Sequence, residues 1–67
     1  MFKANLFKAK LAEREMTMAQ LATVIGRNEA TLYRKVLGES DFTRNEMQLI
    51  RQALGLTYED MEKIFFA

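Results

Sequence analysis

The side chains richest in recognition chemistry lie between Asn28 and Lys35. In the run Asn28-Glu29-Ala30-Thr31-Leu32-Tyr33-Arg34-Lys35-Val36, the aliphatic residues Leu32 and Val36 stand four apart. That spacing is helical, so both face inward, and positions 29, 30, 33 and 34 turn outward together. The outward set holds a carboxylate, a methyl, a phenol and a guanidinium, groups that accept, donate and pack. Bond-breaking chemistry is poorly served. The 67 residues include no cysteine and no histidine, which excludes disulfides and thiolate metal sites and removes most nucleophile–base arrangements. Nine acidic residues are scattered along the chain rather than clustered. We therefore expect a protein that is not an enzyme and that needs neither cofactor nor metal.

A rigid frame is needed to present such a face, and Thr17 to Leu37 supplies one. Leu21, Ala22 and Ile25 recur at helical spacing, and Gly26 stops that helix by entering a left-handed C-terminal position without steric cost. Asn28, a favoured N-cap type, then opens the second helix. Two helices crossing steeply through a short turn bring their axes close. The contact position on the first must therefore be small, as Ala22 is, and the second must return an aliphatic side chain to the core, as Leu32 does. This is the pattern of a helix-turn-helix, whose second helix usually enters a DNA major groove. The plainer reading is a helical hairpin in a small bundle that binds no nucleic acid.

Length and composition set the rest. One domain, residues 1–67, is expected, and it is near the lower size limit for folding alone. With 49% hydrophobic residues, no proline and glycine only at 26, 38 and 55, the pattern predicts an all-α fold of five short helices. Helix 1 spans about 3–15, with Phe7 and Leu11 inward and Met16 buried in the turn after it. Thr17 caps helix 2 with Gln20 completing a capping box, helix 2 runs to Ile25, and helix 3 spans Glu29 to Leu37. Gly38 closes helix 3 before the polar loop Glu39-Ser40-Asp41. Thr43 and Glu46 form a second capping box, with Phe42 and Met47 as a hydrophobic staple, and Met47, Ile50 and Leu54 line helix 4. Thr57 and Asp60 open helix 5, which carries Met61, Ile64 and Phe65. The formal net charge of +1 announces no partner. The opening lysines lack the uninterrupted apolar run of a secretory signal, and no run approaches a membrane span. Helix 1 of the domain is preferred over a basic amphipathic membrane helix, and a cytoplasmic location in a bacterial host cell is expected.

With these elements in place the chain resembles the DNA-binding domain of lambda-type phage repressors and Cro proteins, the xenobiotic-response-element family of regulators. The resemblance covers about residues 5 to 66. It rests on Leu21-Ala22, Gly26, the Asn28-to-Leu32 opening of helix 3, Gly38, and Leu54-Gly55-Leu56-Thr57. The run from Leu32 to Thr43 looks most like small regulators of phages and prophages of Gram-positive bacteria. Two positions depart from the family pattern. Met18 stands where a glutamine commonly contacts a phosphate, and Glu15 stands where glycine or asparagine is common.

The resemblance implies a base-reading set of Asn28, Glu29, Ala30, Tyr33 and Arg34. Arg34 would bridge guanine O6 and N7, Glu29 would accept from cytosine N4, and Ala30 would meet a thymine methyl. Asn28 would pair with adenine or hold a phosphate, and Tyr33 would pack on sugar or bond a phosphate. Thr17, Arg27, Thr31, Lys35, Ser40 and Arg44 would contact the backbone, which fixes register without reading sequence. The competing view of Arg27, Arg34 and Lys35 is a solvated basic face with Glu29 as ion-pair partner. At the C-terminus, Phe66 and Tyr58 are expected to pack across the two-fold axis of a weak homodimer; the alternative has Phe66 covering the crevice between helices 1 and 5. The implied function is a Cro- or repressor-type transcriptional regulator that occupies a double-stranded DNA operator. The alternatives are a protein-interaction module that binds a phage repressor, and an antitoxin component.

Overall fold

The computed structural model describes residues 1–66, so Ala67 of the expected domain lies outside the described residues. The element order is α1 (Ala4–Glu13), α2 (Met18–Val24), α3 (Glu29–Val36), α4 (Arg44–Leu54) and α5 (Tyr58–Met61), followed by a π-helical turn (Glu62–Phe66). The fold is all-α with five helices, and no strand occurs among the described residues. No described helix is long and apolar enough to cross a membrane.

Local chemistry sets each boundary. Thr17, Thr43 and Thr57 each accept from the backbone N–H three residues on, and Gln20, Glu46 and Asp60 return the bond to the cap's own N–H. These capping boxes satisfy donors that a helix start leaves free. The helix ends share a second device. After α2, Arg27 N–H donates to Ala22 O and Gly26 N–H to Thr23 O, the paired bonds of a Schellman turn. After α3, Glu39 and Gly38 donate to Arg34 O and Lys35 O in the same way. After α1, Met16 and Glu15 donate to Leu11 O and Ala12 O, so Glu15 holds φ +52° in the left-handed slot that glycine usually fills.

The core gathers Phe7 and Leu11 from α1, Leu21, Ala22 and Ile25 from α2 and its cap, and Leu32 and Val36 from α3. Ile50, Leu54, Leu56, Met61 and Ile64 complete it. Met16 and Met47 are half-buried rather than fully inside. Helix 1 begins one residue later than expected, because Lys3 N–H donates to Ile64 O at 2.7 Å and holds the N-terminal residues against the C-terminal turn. That clamp brings Phe2 into an aromatic cluster, with ring centroids 5.3 Å from Phe7, 5.1 Å from Phe42 and 5.4 Å from Phe65. Helix 5 is α-helical for only four residues. The π turn after it buries Ile64, half-buries Phe65 and leaves Phe66 65% exposed.

Candidate nucleic-acid interface

The α2–α3 pair is built as its residues require. Leu21 and Leu32 are fully buried and Ala22 is 2% exposed. Gly26 adopts φ +73° between the two helices. With Leu32 and Val36 inside, Glu29, Ala30, Tyr33 and Arg34 all stand exposed on the opposite side of α3. The expected outward face is thus assembled on one short helix. One further apolar side chain, assigned no role by the sequence, extends this surface: Leu37, the C-cap of α3, 72% exposed one turn after Tyr33.

Several expected roles change in three dimensions. Asn28 Oδ1 accepts the Thr31 N–H at 2.7 Å as the N-cap of α3. A paired contact with adenine needs both the carbonyl and the amide of Asn28, so while the cap holds only its amide N–H groups face outward. Thr31 is half-buried, and its hydroxyl accepts from Arg34 Nη2 at a long 3.5 Å. Thr17 is exposed but engaged in its capping box. Ser40 and Arg44 stand exposed, the first in the loop after α3 and the second at the start of α4.

Lys35 is the clearest correction. It is 7% exposed, and its Nζ donates to Asp41 O at 2.7 Å and lies 3.1 Å from Glu46 Oε1. A side chain so enclosed is not available to a phosphate. The ammonium is turned inward because Glu46, at 2% exposure, presents a carboxylate there. Glu46 also accepts from Arg27 Nε at 2.7 Å and from Thr43 N–H at 2.8 Å. The acidic partner of Arg27 and Lys35 is therefore Glu46 and not Glu29, for which no ion pair occurs among the described residues. One carboxylate ties the turn before α3 and the last turn of α3 to the first turn of α4.

Burial by itself would raise the Glu46 carboxyl pKa. The Thr43 N–H, the Arg27 guanidinium and the Lys35 ammonium overcome that and hold it down to about 2. Sequence reasoning saw Glu46 only as half of a capping box. The missed signal is its position four residues before Ile50 and eight before Leu54, on the inward stripe of α4.

The C-terminal aromatics lie elsewhere. Tyr58 is 80% exposed and Phe66 65% exposed. Both line a groove between α4 and the C-terminal turn that also holds Arg44, Arg51, Met47 and Met61. The DNA-backbone candidate Arg44 and the dimer candidates thus share one surface. Its remaining lining residue is Gln48, so no carboxylate lines the groove. Among the described residues no group of three or more histidine, cysteine, aspartate or glutamate side chains is placed to hold a metal ion.

Compared with family models, with curated proteins and with solved structures, the chain shows no match.

Proposed function

We propose that this chain is a sequence-specific double-stranded DNA-binding regulator that acts by occupying an operator, with α3 in the major groove. The observation that carries this reading is the exposed face of α3: Glu29, Ala30, Tyr33 and Arg34 point away from the core together, on the second helix of a pair joined through Gly26. Arg34 reads guanine through its paired donors, Glu29 selects cytosine, and Ala30 and Tyr33 supply apolar and hydroxyl contacts. Arg27 and Arg44 hold phosphates with help from the N–H groups at the starts of α2 and α4. Bound across a promoter, the domain would exclude polymerase.

One observation favours a second reading. With Lys35 buried and Arg27 sharing Glu46, Arg34 is the one cation on α3 that carries no ion pair among the described residues. Leu37 and Tyr33, one helical turn apart at the same end of α3, are respectively 72% and 46% exposed. A face so apolar also suits a protein partner such as a DNA-bound repressor.

Selection from a random duplex library with the purified protein, followed by sequencing, separates the two. An enriched inverted repeat would establish operator binding by two copies, and a single enriched half-site would establish binding by one. No enrichment at moderate salt would overturn the DNA reading and leave the protein-partner reading.

A further inference from the structure

We infer that the groove between α4 and the C-terminal turn is a docking site for a segment of another protein that carries a carboxylate beside an apolar stripe. The floor is apolar, formed by Met47 and Met61, with Tyr58 and Phe66 standing exposed at its walls. Two arginines edge it. Neither Arg44 nor Arg51 has a carboxylate partner among the described residues, although five ion pairs form elsewhere in this small domain. Arg51 is the more telling of the two. Its guanidinium carbon sits 4.5 Å from the Tyr58 ring centroid, and its Nε–H is buried without an acceptor. The buried Nε is out of reach of an incoming group, but a guanidinium held against an aromatic wall is oriented so that its outer N–H groups can meet an anion. An exposed phenylalanine and tyrosine flanking two positioned arginines have the composition of a binding hot spot, where aromatic residues and arginine dominate.

The charge pattern selects the occupant. A second copy meeting this patch about a two-fold axis would set the same surface on both sides. The groove lining holds two arginines and no carboxylate, so groove-on-groove self-docking brings four cations together across a desolvated contact. An acidic, apolar segment satisfies the groove's arginines instead. The inference concerns a face distinct from the outward side of α3; it shares Arg44 with the proposed phosphate contacts but does not depend on DNA binding.

The test is selection of displayed random 16-residue peptides against the intact chain, with the winners mapped by backbone amide shifts of the labelled protein. Enriched peptides should combine Asp or Glu with aliphatic or aromatic residues, and their shifts should centre on Met47, Arg51, Met61 and Phe66. Arg44→Gln and Phe66→Ala, both at exposed positions that leave the core intact, should each weaken binding at least tenfold. Replacing the peptide's acidic residues by their amides should weaken it similarly. Equal binding by the amide version, shifts centred on α3, or no enrichment would each overturn the proposal. So would sedimentation of the free chain as a dimer whose formation Phe66→Ala abolishes, because the occupant would then be a second copy.

Discussion

Replacing Glu46 by glutamine tests the tie between α3 and α4 most directly. The substitution preserves shape and still offers an oxygen to the Thr43 N–H, but it puts a neutral amide beside the Lys35 ammonium and the Arg27 guanidinium. The magnitude follows from proton linkage. The folded carboxyl titrates at about 2, against roughly 4.3 in an unfolded chain, and this gap corresponds to about 3 kcal/mol. The group is almost wholly buried, so solvent does little to reduce that figure, although half-exposed Arg27 supplies a screened share of it. For a domain of this size, with total stability on the order of 3–10 kcal/mol, the loss is severe.

The pH dependence has a definite sign. The folded value lies below the unfolded one, so the unfolded chain binds more protons between them. The stabilisation is therefore complete above about pH 5 and drains away as pH falls through 4 toward 2. Urea unfolding followed by far-ultraviolet circular dichroism, on wild type and Glu46→Gln at a series of pH values, reads it out. The difference between the two proteins should be about 3 kcal/mol near neutrality and roughly half that near pH 3. A difference that stays constant with pH would mean that the charge of Glu46 is not what stabilises the fold. A difference below about 1 kcal/mol at neutrality would refute the argument that the Glu46 carboxylate binds these elements together.

Other expectations follow from the same geometry. Lys35→Met should lower stability by about 2 kcal/mol in urea melts, because Glu46 loses a buried partner, yet leave the salt dependence of DNA binding unchanged; a shallower slope would restore Lys35 as a phosphate contact. Arg44→Gln should by contrast reduce the log–log salt slope by about 0.9, and Arg34→Ala should cost about 1–3 kcal/mol of affinity and relax preference at one base pair, both measurable by fluorescence anisotropy. Glu15→Gly should raise stability by roughly 0.5–1 kcal/mol, since it relieves φ +52° in a Schellman turn; an unchanged or lower melting temperature would contradict that. Gly26→Ala and Gly55→Ala meet similar backbone strain but different surroundings. An added Cβ at Gly26 meets open space, whereas at Gly55 it would approach Arg14 Nη2 to 2.6 Å and disturb the Arg14 bond to Leu54 O. The second should therefore cost about 1 kcal/mol more than the first.

The sequence by itself determined the helices, their caps and the inward stripes. Those depend on near neighbours: a threonine and its partner three residues on, a glycine after the last turn, aliphatic residues three and four apart. Thr17 with Gln20 and Thr43 with Glu46 formed the expected boxes; Asp60, expected only to favour the helix dipole, closes a third box on Thr57, and the outward set on α3 followed from Leu32 and Val36 facing in. Tertiary structure decided whatever depends on partners distant in the chain. Lys35 and Glu46 are eleven residues apart; one read as a phosphate contact and the other only as half of a capping box, until α3 packs beside the start of α4 and encloses them together. Phe2 gains its aromatic neighbours only because Lys3 N–H reaches Ile64 O across nearly the whole chain. Arg44, Arg51, Tyr58 and Phe66 become one groove only when α5 and Phe66 come to lie beside α4. Short-range bonds leave a signature in local spacing, but a charge is buried or left unpaired by the relative placement of helices, and no local pattern records that placement.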